Sequence, residues 1–124
     1  DTCEPEFSDP RVQFFTVPGT KRDEAALTVS IAGGTTLILN DILANVRNAE
    51  GLNGVVARLF GFAGQAPQIP LPEKIAIIDD KPALARQFRQ WADEPALKRI
   101  IVSHGDIIDD NPAQVLRDVA RTLG

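Results

Sequence analysis

The sequence predicts an α/β domain, a mixed β-sheet with helices packed on one face. Three observations carry that prediction. Residues Ala25 to Asn40 alternate apolar and polar side chains around Gly33-Gly34, the pattern of an antiparallel hairpin. Arg99 to Ser103 (RIIVS) is short and nearly all apolar, as a strand buried on both faces is. Two stretches, opened by Pro82 and by Pro112, carry apolar residues at helical spacing.

Each element has its own local reason. Asp1 to Pro10 holds two prolines and several acids without periodicity, and reads as a surface segment. Val12 to Val17 (VQFFTV) is β-branched and aromatic, a strand closed by Pro18-Gly19. In the hairpin, Leu27, Val29 and Ile31 alternate with Thr28 and Ser30, Gly33-Gly34 tolerate positive φ, and Thr35 to Leu39 runs back. Asp41 follows directly, and Ile42 to Val46 reads as a short helical turn. From Leu52, the residues Val55, Val56, Leu59 and Phe60 fall at helical spacing with Arg58 the only charge, so that helix should be covered. Gly61 and Gly64 end it, and Pro67, Pro70 and Pro72 make the next stretch extended. Lys74 to Asp79 reads as a short strand or an extended segment. Asp80 is placed to cap a helix through Leu84, Phe88 and Trp91 that ends near Glu94. Asn111 is placed to cap the last helix, striped by Val115, Leu116, Val119, Ala120 and Leu123.

At 124 residues with 44% hydrophobic side chains, the chain reads as one soluble domain spanning residues 1–124. A compact chain of this size hides about two-thirds of its unfolded surface, enough for a core without disulfide or metal staples. A net charge of −4 gives no electrostatic footprint for nucleic acid. No apolar run approaches the roughly 18 to 20 residues of a membrane span, and no signal pattern opens the chain. A cytoplasmic location is the expectation, with secretion after signal removal the alternative. Cys3 is alone, so no intrachain disulfide forms. The chain begins Asp1-Thr2-Cys3 and contains no Met, which reads as a processed chain or a piece of a longer protein.

Two positions share one geometry. Asp41 ends the strand TLILN and His104 ends the strand RIIVS, so each is a polar side chain held by a rigid core at the rim of a sheet. If the two strands lie in one sheet and point the same way, the pair converges, a carboxylate and an imidazole suited to Zn²⁺, Mn²⁺ or Fe. Two plainer readings stand beside this one. Asp41 also fits an N-cap of the turn at Ile42 to Val46, and His104-Gly105-Asp106 also fits a loop with a capping role. Ser103 adjoins His104, but neighbouring strand residues face opposite ways, which is poor placement for a nucleophile and its base. No Walker loop or dinucleotide fingerprint occurs.

The run VPGT, AALTVSIAGGTTLILND, an apolar helix, KPALARQFRQW, KRIIVSHGD and a final helix resembles the C-terminal half of the metallo-β-lactamase-like hydrolase fold. The resemblance is to an uncharacterised bacterial branch, whose hairpin ends in Leu-x-x-x-Asp with an Asn four residues on, matched by Leu37, Asp41 and Asn45. A later strand there ends in a Ser/Ala-His-Gly triplet, matched by Ser103, His104 and Gly105. The resemblance covers the chain from about Val12 onward.

It implies half of an αβ/βα sandwich and a binuclear metal site at the rim between two sheets. By position, Asp41 resembles the bridging carboxylate and His104 the last imidazole, with Thr20, Asn45, Gly105 and Asp106 nearby. The family's His-x-His-x-Asp-His run, which supplies most of its ligands, has no counterpart here. Thr20 stands where many members place a His after Pro-Gly. The resemblance therefore implies a metal-dependent hydrolase whose Zn (or Fe or Mn) is weakly held or absent in this chain alone, its centre completed by residues elsewhere. The alternative is a non-catalytic module acting through dimerisation or partner binding, because half a sandwich exposes the face the other half covers. The partners implied are a second copy or the missing N-terminal half.

Overall fold

A computed structural model describes residues 8–21, 24–46, 64, 66–70, 72, 74 and 77–123. The expected helix from Leu52, Cys3 and most of the opening segment lie outside the described residues. The described elements are β1 (Val12–Thr16), β2 (Ala25–Ile31), β3 (Gly34–Asn45), α1 (Lys81–Ala92), β4 (Leu97–Gly105) and α2 (Pro112–Thr122). The four strands form one mixed sheet in the order β1-β2-β3-β4. The first two pairings are antiparallel and β3 pairs with β4 in parallel. The chain is an α/β protein.

The hairpin forms where its sequence places it. Ile31 pairs with Gly34 across a turn at Ala32-Gly33, so the loop begins one residue earlier than a Gly33-Gly34 turn would. Gly34 has the positive φ, +126°, and a Cβ there would lie 2.9 Å from the Lys98 Cβ. A glycine lets the start of β3 come that close to β4.

Alternation sorts the sheet into two faces. The row Phe15, Ala26, Leu39, Val102 crosses all four strands, as does the row Phe14, Leu27, Ile38, Ile101. The first row belongs to or packs against the core, together with Leu84 and Phe88 of α1 and Leu116, Val119 and Ala120 of α2. No member of the second row belongs to the core formed by the described residues. Both helices thus cover the same face, the inner one.

The helices follow from their caps and stripes. Asp80 caps α1, its Oδ1 accepting from the Ala83 backbone N–H at 3.0 Å, with Pro82 in the first turn. Phe88 and Trp91 meet edge to face, ring centroids 5.7 Å apart, and Leu84 and Phe88 are fully buried. Burying a Phe or Leu completely stabilises by about 1.5–3 kcal/mol, so this helix face anchors the layer. Asn111 precedes α2, but its side chain makes no capping bond. Its backbone is left-handed, φ 49°, and its carbonyl accepts from the Gln114 N–H at 3.1 Å instead. Asn tolerates that conformation better than most residues.

The expected helical turn at Ile42 to Val46 does not form. β3 continues as strand through Asn45, with Ala44 paired to His104 on one side and bridged to Gln68 on the other. Ile42 and Leu43 are fully buried in extended backbone. Spacing alone cannot separate helix from strand in so short an apolar run, and the strand partners decided it. Pro72 and Lys74 are helical rather than extended, with the Lys74 N–H donating to the Pro70 carbonyl at 3.0 Å.

Candidate functional site

β1, β3 and β4 run in one direction, because β2 reverses the chain between β1 and β3 and β4 lies parallel to β3. Their C-terminal ends therefore share one rim. The turn from Val17 to Lys21, the Asp41 region and His104 all stand on it. This is the side of a sheet where strand ends present polar groups to ligands.

A wide bulge in β3 sets the site. Leu39 pairs with Val102, and the next pairing along the strands joins Ala44 to His104, so the four residues Asn40 to Leu43 stand opposite Ser103 alone. A bulge of this kind re-aims side chains. Two polar couples result on successive positions. Ser103 Oγ donates to Asn40 Oδ1 at 2.9 Å, and His104 Nε2 lies 3.1 Å from Asp41 Oδ1. The imidazole and carboxylate are 44% and 39% exposed, so the pair is held by its strands yet open to solvent.

Asp41 is thus a strand residue facing His104 and caps no helix, while His104 and Gly105 belong to β4 and not to a loop. Ser103 is bonded to Asn40 and not to His104, as opposite-facing neighbours must be.

The other candidates occupy different places. Asn45 is 2% exposed, and its Nδ2 donates to the Asp106 carbonyl at 3.0 Å. The Asp106 N–H returns a bond to the Asn45 carbonyl at 2.9 Å. Gly105 lies between them with φ +103°. Thr20 closes its own turn: its hydroxyl donates to the Val17 carbonyl at 2.8 Å and accepts from the Glu24 N–H at 3.3 Å. Its backbone bridges to Ile78. The hydroxyl does structural work in that turn. A small cleft of about 110 Å³ opens beside the strand end, lined by Asn45, Asp106, Ile107, Ile108, Asp109 and Asp110. Asp106, Asp109 and Asp110 are exposed, so the rim draws cations more readily than anions.

The donor set fits a divalent metal in chemistry and spacing. Two ligand atoms about 2.0–2.1 Å from one tetrahedral ion stand about 3.3 Å apart, close to the separation of Nε2 and Oδ1. Among the described residues, no group of three or more His, Cys, Asp and Glu side chains forms a metal cluster. A catalytic zinc takes three protein ligands and a water, so this pair needs at least one ligand more. No protein-family model matches the chain, and no match is found among curated proteins.

Proposed function

We propose that this chain carries part of a metal-dependent hydrolase centre of the metallo-β-lactamase-like kind, with Asp41 and His104 as ligands to Zn²⁺, Fe or Mn. The observation that carries the reading is the 3.1 Å approach of His104 Nε2 to Asp41 Oδ1 at a sheet rim. Neutral imidazole and carboxylate suit borderline metals, and such an ion, when bound, acidifies a water into a nucleophile near neutral pH. Asp41 would offer a carboxylate oxygen to such an ion and His104 its Nε2, and the bulge in β3 brings the carboxylate to the imidazole. The further ligands come from outside the described residues.

Metal content by mass spectrometry, together with Zn²⁺ titration followed on the imidazole NMR signals, tests this. His104 is the sole histidine of the sequence, so those signals need no assignment. The expected result is a Zn²⁺-dependent shift that Asp41→Asn weakens. No shift in the chain, and no transition metal in a longer gene product that contains it, would overturn the reading.

A second reading has its own observation. The outer sheet face carries Phe14, Leu27, Val29, Ile38 and Ile101, all half-buried, and none of them joins the core formed by the described residues. Ile31, at the hairpin end of the same face, is 55% exposed. A non-catalytic module that binds a second layer of protein through this face would use that surface. Light scattering at increasing concentration checks self-association, and a strict monomer at high concentration counts against a second copy as the occupant.

A further inference from the structure

Asn45 is a carboxamide buried at the end of the run Ile42-Leu43-Ala44, whose three residues are all at most 1% exposed. Burial of an amide is unfavourable unless its hydrogen bonds are made, so an apolar residue would serve packing alone at least as well. Buried polar groups are best attested as devices that specify one register over its neighbours.

β3 and β4 have a register that needs specifying. Their ladder is interrupted by the four-against-one bulge, so the pairing of Leu39 with Val102 does not by itself dictate which residue faces His104. Beyond the bulge, three features act on the same residues. Asn45 Nδ2 donates to the Asp106 carbonyl at 3.0 Å, and the Asp106 N–H donates back to the Asn45 carbonyl at 2.9 Å. Between them Gly105 crosses so closely that a Cβ would lie 2.0 Å from the Asn45 carbonyl oxygen. A one-residue slip of β4 would put His104 at the position of that crossing, which only a glycine can occupy.

We infer that Asn45 is the positioning residue of the rim site: its bond to the Asp106 backbone pins the end of β4 in the one register that brings His104 to Asp41. The inference deepens the metal-site reading and rests on it for its functional meaning, while the contact that it sets is measurable without metal. Asn45 acts through the backbone of the residue two beyond His104, to which its amide donates.

The test uses Asn45→Leu, similar in volume and without the amide, and Asn45→Ala as a second variant should the first fold poorly. Asp106 is exposed, so water can replace the bond that its carbonyl loses. The metal-free readout is the ¹⁵N shift of the His104 imidazole at fixed pH, compared with and without Asp41→Asn. In the parent chain Asp41→Asn should move the Nε2 signal; in either Asn45 variant it should move it much less. The second readout is Zn²⁺ affinity, expected to fall about 10- to 100-fold, the range for groups that orient a ligand without touching the ion. Urea midpoints measured alongside separate positioning from loss of fold. A folded Asn45 variant in which Asp41→Asn still moves the His104 signal by the parent amount overturns the inference, whatever the metal data show. A parent chain whose His104 senses Asp41 but not Zn²⁺ removes the metal reading and leaves the positioning role standing.

Discussion

Replacing Gly105 with alanine tests the rim at its tightest point. The backbone there has φ +103°, and an added Cβ would meet the Asn45 carbonyl oxygen at 2.0 Å, the Asn45 carbonyl carbon at 2.3 Å and the Val46 nitrogen at 2.8 Å. All three are backbone atoms, so no side-chain rotation relieves the overlap. Holding a non-glycine residue in such a conformation costs about 1–3 kcal/mol. Moving β4 away breaks the two bonds between Asn45 and Asp106, worth about 1 kcal/mol each. The sum, about 3–5 kcal/mol, is a large part of the roughly 5–15 kcal/mol that holds a domain of this kind folded. At a urea slope of about 2 kcal/mol per M, the unfolding midpoint falls by roughly 1.5–2.5 M, with an unchanged slope if the fold survives. Equilibrium urea unfolding followed by Trp91 fluorescence reads this directly, because Trp91 packs in the core. A midpoint that falls by less than about 0.5 M would refute the reasoning, since it would mean that the crossing relaxes without breaking its bonds.

Four other outcomes follow from the same geometry. His104→Ala should change stability by no more than about 0.5 kcal/mol, read as a small shift in urea midpoint, because the side chain stands in solvent outside the core; on the proposed function it should also abolish Zn²⁺ binding measured by titration calorimetry. Phe88→Ala should destabilise by about 3–5 kcal/mol through the cavity left in the core, read as a large drop in urea midpoint. Asp80→Ala removes the acceptor for the Ala83 N–H and should destabilise by about 1 kcal/mol, a smaller drop in the same assay. Phe14→Glu places a charge on the outer sheet face; if that face binds a second copy, light scattering should show the dimer lost while circular dichroism stays unchanged.

Much of the fold was legible because local and tertiary signals agreed. The hairpin has alternation and glycines, α1 has Asp80, Pro82 and an apolar stripe, and β4 has an unbroken apolar run; each of these appears in the structure. The site was legible only in part. Strand ends point to Asp41 and His104, and the structure brings them together, but the apolar run Ile42 to Val46 suggests a helical turn where β3 continues as strand through Asn45. Ile42-Leu43 has no period of its own, and what makes it strand is a pair of partners distant in sequence, His104 and Gln68. The bulge that aims Asp41 is likewise a property of two strands compared, invisible in either one. Asn111 shows the converse: the cap residue was recognised, but the backbone turned left-handed and the carbonyl took the task expected of the side chain. Thr20 was marked by its place after Pro-Gly, while its hydroxyl is used to close that turn.

The two proposed readings use opposite sides of the same sheet end. Its central row, Phe14, Leu27, Ile38 and Ile101, is apolar across all four strands, whereas the next step toward the rim carries Asn40 and Ser103, exposed and bonded to each other. Apolar surface therefore stops one step short of the rim, and a layer packed on this face would find its polar border there. His104 follows Ser103 by one residue, as Asp41 follows Asn40, so by alternation that pair projects to the other side of the sheet, the side of Leu39 and Val102. A layer packed on the outer face would therefore meet the Asn40–Ser103 couple and not the Asp41–His104 pair. On this argument metal affinity and association are separate: whatever covers the face should leave Zn²⁺ binding unchanged, and Zn²⁺ should leave the association unchanged. Measuring either constant at two concentrations of the other component decides it, and a constant that shifts would refute the separation.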